Sequence, residues 1–189
     1  GVHRPKGLGK NQAASLVWLD GTGRPIPVQL WRGGWRMTST TWGYDLVGVN
    51  HYAVRSAESF LVKRERGRVN HVDRDQGTAY WFRMNHNVVE DTSIRRLDQS
   101  TCAEKERLLA LPGVSDAHED STALHQRRIA YLRDIADYQE FYDIITGPRM
   151  EKLSRLTPKF GAPVFFAGPE CIPDELVNRS PRERFFFTV

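Results

Sequence analysis

The chain has 189 residues, enough for one real core with a tail besides, and its 40% hydrophobic and 26% charged residues exclude disorder throughout. No apolar run approaches the ~20 residues of a membrane span, and the basic opening GVHRPKGLGK lacks the apolar stretch of a signal peptide. A net charge of +4 and a pI of about 9.2 lean weakly toward an anionic partner, and two cysteines, Cys102 and Cys171, form no disulfide framework, so a reducing compartment is expected.

In chain order, 1–12 is polar and extended, and Ala14 to Leu19 reads as a buried strand. Asp20-Gly-Thr-Gly23 is turn chemistry, with glycine available for positive φ. Ile26 to Trp31 is a second strand, kept at a sheet edge by Pro25 and Pro27. After an irregular loop over 32–44, Leu46 to Val54 is the third strand. Ser56 N-caps a helix over 57–66, with Glu58 in its first turn and Gly67 as its stop. Further helices are predicted over Thr78 to Asn85 and over 101–111. The longest runs from about Asp116 to Thr146, with an apolar stripe of Leu124, Tyr131, Ile135, Tyr138, Tyr142 and Ile145, of which Tyr131, Ile135, Tyr138 and Tyr142 are expected to face a core. Together these elements predict an α/β chain, with strands in the N-terminal third and a helix-rich C-terminal part. A domain over 1–157 is followed by an irregular tail over 158–189, whose Phe185-Phe186-Phe187 run is too apolar to leave in water and should dock on the core.

The chemistry concentrates around His51, placed where a predicted strand ends, which is where α/β sheets hold ligands. An imidazole there can ligate a divalent cation or hydrogen-bond a phosphate, although on pattern alone a histidine satisfied by its neighbours accounts for it better. Arg55, Lys63, Arg64, Arg66 and Arg68 follow. On a helix Lys63 and Arg66 share a face and can neutralise a diphosphate, while a solvated cationic helix end explains the same charges. Asp73-Arg74-Asp75 is formally a DxD, but it lies in a polar loop and reads as solvated carboxylates; His71 and His86 lack further metal-ligating partners. Tyr80-Trp81-Phe82 followed by Asn87 suits the C–H face of a pyranose, with a packed helix an equal reading. Asp91, or Glu90, has the residue type of a general base for an acceptor hydroxyl.

The word order NHYAVRS…F..K..RG, preceded by His3-Arg4-Pro5-Lys6 and followed by the aromatic segment with Asn and Asp, resembles the C-terminal half of bacterial glycosyltransferase family 2 proteins, whose fold is of the GT-A type. The resemblance covers about residues 1–100 and implies that 1–157 is the acceptor-side half of a GT-A-like domain. It implies His51 as the metal contact, Arg55, Lys63, Arg66, Tyr80, Trp81 and Asn87 as substrate and diphosphate contacts, and Asp91 as the catalytic base. A divalent metal, Mn or Mg, is expected only together with a DxD-bearing half that this chain lacks. The implied partners are a nucleotide-sugar donor and a saccharide or lipid-linked acceptor, with no nucleic acid and no transmembrane segment, in the cytoplasm or peripheral at the inner membrane. The alternative is a non-catalytic basic α/β module that grips a polyanion such as nucleic acid; no DNA- or RNA-recognition motif supports it.

Overall fold

A computed structural model describes residues 17–27, 30, 40–41, 43–48, 52–67 and 76–189. The chain divides into two compact units, Gly1–Tyr52 and Ala53–Val189.

Among the described residues of the first unit, Asp20 organises a turn. The Asp20 carboxylate accepts from the Thr22 amide at 2.9 Å, the Thr22 hydroxyl at 2.5 Å and the Arg24 amide at 3.1 Å. The Thr22 hydroxyl, above all, holds this carboxyl below its ordinary range. Gly23 takes φ 85, as a turn of this kind requires. Leu19 and Pro25 meet in one isolated antiparallel bridge.

No β-strand exists among the described residues, so the α/β expectation with strands in the N-terminal third is corrected to a helix-rich chain, and a portion of a GT-A-like fold is not what these residues form. The physical reason is visible where the predicted strands are described. Pro25 and Pro27 withhold the donors a ladder would need. Asp20 collects the amides of Thr22 and Arg24, and Gly21 O takes those of Leu46 and Val47 at 2.8 and 3.1 Å. The remaining parts of those three segments lie outside the described residues.

In the second unit the local signals hold. Helix α1 is Ala57–Arg66, with the Ser56 side chain accepting from the Ser59 amide at 3.2 Å and Gly67 closing the helix at φ 70. Helix α2 is Thr78–Met84. A 3-10 turn, Ser93–Leu97, leads into α3, Asp98–Leu109, and α4 is Val114–Arg133. Helices α5, Ala136–Thr146, and α6, Pro148–Leu156, are separated only by Gly147, so Pro148 takes the first-turn position where its missing N–H costs nothing. Two short helices follow, α7 over Val164–Ala167 and α8 over Asp174–Val177.

The expected single helix over 116–146 is two helices. Ile135 leaves the helical region at φ −90, ψ 122, and its carbonyl accepts from Tyr138 and Gln139 at 3.0 and 2.9 Å, which starts a new helix. Asp137 in that first turn suits the positive helix end. The break resets the phase of the apolar stripe. Tyr131, expected to face the core, is 55% exposed and Leu124 of the same stripe is 60% exposed, while Ile129 and Leu132 are buried. After the break Ile135, Tyr138 and Tyr142 pack against the core and Ile145 is buried within it.

The core joins Phe60 and Leu61 of α1, Trp81 and Phe82 of α2, Leu132 of α4, Phe141 and Ile145 of α5 and Met150, Leu153 and Leu156 of α6. Phe160, Val164, Ile172 and Val177 extend it into the 158–189 segment, where Phe185 and Phe187 pack on it and Phe186 stays exposed. Phe160 and Phe187 pair in an isolated parallel bridge. By contrast α3 buries no residue at all. No helix of the described residues is long and apolar enough to cross a membrane.

One cross-helix contact carries a pH dependence. The Tyr142 hydroxyl donates to Glu58 Oε1 at 2.8 Å. The helix-end backbone amide of Glu58 first, and then Tyr142, hold this carboxyl below its ordinary range. A depressed folded-state pKa contributes stability above the unfolded value of about 4.3, and that contribution is lost as pH falls through the folded value. Tyr142→Phe is therefore expected to cost about 1 kcal/mol at pH near 7, a modest figure because the pair is partly solvated. The gap between the two melting curves should close as the pH is lowered past the Glu58 titration; a gap that persists in acid would show that the bond is not to the carboxylate.

Candidate functional site: a cation–aromatic platform

Helix α1 carries Lys63 toward α2. Its ammonium donates to the Ala53 carbonyl and to the Tyr80 hydroxyl, the latter at 3.1 Å. It lies 4.9 Å from the Tyr80 ring centroid and 5.9 Å from that of Phe60. The Tyr80 ring is itself stacked on Phe60, 5.9 Å away and 8° from parallel, so its position is fixed by the core.

Arg83 stands one helical turn beyond Tyr80. Its guanidinium carbon is 5.5 Å from the Tyr80 ring and 5.2 Å from that of Phe166 on α7. Phe166 is 73% exposed. Its neighbour Phe165 explains the orientation: that ring stacks on Phe82 at 5.1 Å and on His86 at 5.8 Å, which turns the next residue outward. Lys63 and Arg83 make no ion pair among the described residues. Two cations thus flank one tyrosine, and neither is paired with a carboxylate among the described residues, an arrangement that attracts anions.

Of the residues singled out in the sequence, the structure brings Lys63 and Tyr80 together. Trp81 is buried, its ring 5.0 Å from Phe60. Asn87 ties its loop to α6, with its amide N–H donating to the Ser154 carbonyl and its side chain to the Ser154 hydroxyl, both at 3.0 Å. Arg55 and Arg66 are exposed. Asp91 is exposed and accepts from the Ser93 amide at 2.8 Å; its hydrogen bonds with Ser93 hold its carboxyl below the ordinary range. Arg64 is laid over Phe141 at 4.0 Å. His86 is exposed, with Nε2 2.7 Å from the Arg83 carbonyl. His51, Arg68, His71, Asp73–Asp75 and the His3–Lys6 segment lie outside the described residues.

Among the described residues no group of three His, Cys, Asp or Glu side chains is placed to hold a metal ion. Sequence reasoning missed Arg83 and Phe166. The three-residue step from Tyr80 to Arg83 on a predicted helix is a usable signal; nothing local ties either residue to Phe166.

No protein-family model, curated protein or solved structure matches the chain.

Proposed function

We propose that this chain serves a glycosyltransferase, contributing diphosphate and acceptor contacts to the transfer of a sugar from a nucleotide-sugar donor to a saccharide or lipid-linked acceptor. The observation that carries the reading is Lys63. In the order NHYAVRS…F..K..RG, the lysine folds back on the carbonyl of Ala53, two residues after His51, and bridges to Tyr80. Widely spaced residues of the quoted motif are thereby tied into one local structure. An ammonium has three donors, and two are used among the described residues. The third is free for a phosphate oxygen, and Arg83 adds a second cation beside the same ring. Cations held in place before the reaction are what a departing nucleoside diphosphate needs, since they stabilise charge as it develops.

His51 as the metal or phosphate contact and Asp91 as the base for the acceptor hydroxyl rest on the resemblance and on residue type. His51 would contribute to holding a divalent cation, Mn or Mg, which would supply Lewis-acid chemistry to the donor's diphosphate. A nucleotide-sugar donor fits a cytoplasmic location, free or peripheral at the inner membrane.

The test uses the chain joined to the DxD-bearing half that the resemblance implies, with UDP and GDP each titrated calorimetrically with and without Mn. Metal-dependent binding of one of them is expected, weakened about tenfold or more in Lys63→Met. His51→Ala should cut metal-dependent transfer strongly while leaving the melting curve unchanged. Wild-type transfer by His51→Ala would sink its assignment. Steeply salt-dependent nucleic-acid binding with no response to either nucleotide would replace the reading with that of a polyanion-binding module.

A further inference from the structure

We infer that Arg83 and Phe166, backed by Tyr80, form a subsite for a pyranose that carries an anionic group, either a uronate carboxylate or a phosphate ester. This rests on the sugar-handling reading above, which makes the ligand a saccharide.

Three observations converge. First, the half-buried guanidinium of Arg83 lies between two rings, 5.5 Å from Tyr80 and 5.2 Å from Phe166, and donates to no acceptor among the described residues. The carboxylate of Glu170, just past α7, accepts instead from the Thr78 hydroxyl at 2.8 Å. A planar fork of donors held by its stem and left without an acceptor matches a carboxylate or phosphate, which it can engage through two parallel bonds.

Second, Phe166 presents its ring to solvent at 73% exposure from a helix whose other aromatic, Phe165, is stacked between Phe82 and His86. A single exposed phenylalanine is ordinary on a protein surface. One held beside an acceptor-free guanidinium by a rigid neighbour is a ready face for the C–H side of a pyranose.

Third, the two elements are complementary in kind. The ring offers apolar area that every hexopyranose can use, and the guanidinium offers charge that only an acidic sugar can use. Affinity and selectivity are thus carried by different residues, which makes the inference separable by mutation.

The experiment is a titration of the full chain, followed by NMR and calorimetry, with three disaccharides that share one scaffold: a neutral one, one ending in a uronate, and one ending in a sugar phosphate. Both acidic forms are expected to bind at least tenfold more tightly than the neutral form, and their ratio tells which anion the subsite prefers. Arg83→Gln should abolish the preference for acid. Phe166→Ala should weaken all three disaccharides while keeping the preference, and because that ring is exposed its melting temperature should match the wild type. Equal binding of neutral and acidic disaccharides, or a preference that survives Arg83→Gln, overturns the inference. Acid-selective binding without metal-dependent nucleotide binding keeps the subsite and removes the transferase reading. Nucleotide binding without acid selectivity does the reverse.

Discussion

Truncating Phe60 to alanine is expected to lower the unfolding free energy of the Ala53–Val189 unit by about 3–5 kcal/mol. The residue is 1% exposed, and its ring meets Trp81 at 5.0 Å, Tyr80 at 5.9 Å and Phe141 at 6.1 Å. Those partners come from α2 and α5, so one side chain ties three helices. The large ring leaves a cavity that rigid aromatic neighbours fill poorly, which places the cost at the upper end of core truncations. Against a total stability of about 5–15 kcal/mol for a domain, this is a large share. Urea denaturation followed by tryptophan fluorescence reads it directly, since Trp81 lies against the mutated site. A loss under about 1 kcal/mol, the scale of an ordinary surface change, would show that these rings do not form the core.

The second large effect is expected at Arg149, near the start of α6. Its guanidinium donates to the Ile172 carbonyl at 2.6 Å and the Pro169 carbonyl at 3.3 Å, and pairs with Asp174. Which of these matters follows from exposure. The Asp174 side chain is 81% exposed, so the ion pair contributes little. The carbonyls belong to a turn packed on the core, where Ile172 is 2% exposed, and hydrogen bonds from a charged donor contribute about 1.5–3 kcal/mol. Arg149→Ala is therefore expected to cost about 2–3 kcal/mol in chemical denaturation. Asp174→Ala should cost under about 0.5 kcal/mol. Arg149→Lys should recover less than half of the loss, because both carbonyls are reached by one terminal guanidinium nitrogen and a lysine ammonium stops one bond short of it. Equal costs for Arg149→Ala and Asp174→Ala would show that the ion pair, not the turn, is what Arg149 serves.

What could be read in the sequence divides along range. Helix α1 was legible because its start and stop are local: Ser56 caps, Glu58 sits at the positive end, and Gly67 supplies a stop at positive φ. Helix α2 was expected over Thr78 to Asn85 and runs from Thr78 to Met84, with no side-chain cap at its start. The division between α4 and α5 was not, because Asp134-Ile135-Ala136 contains neither proline nor glycine, and apolar steps of three and four continue across it in a different phase. That is why Tyr131 was expected inside and is found outside. The strand expectation failed on short apolar runs, whose length and composition do not separate a ladder from a loop held by side-chain hydrogen bonds. In the candidate site, Lys63 and Tyr80 could be picked from residue type and motif. Their contact, and the pairing of Arg83 with Phe166, depend on how α2 meets α1 and α7, which only the packed core decides.

Helix α3 gives nothing to the core, and the connection after it passes through Pro112 and Gly113, the latter at φ 75 with open space where a Cβ would stand. Its length is therefore not set by core packing. Extra residues spliced between Leu111 and Val114 displace no packed side chain, so this connection is where a lineage can lengthen or shorten the chain at small energetic cost. The same feature is of practical use. Cys102 is exposed on α3, whereas Cys171 is part-buried and its thiol donates to the Gly168 carbonyl at 3.1 Å. A reporter dye coupled to Cys102 would sit on a scaffold that holds its shape yet leaves the core and the cation–aromatic platform untouched.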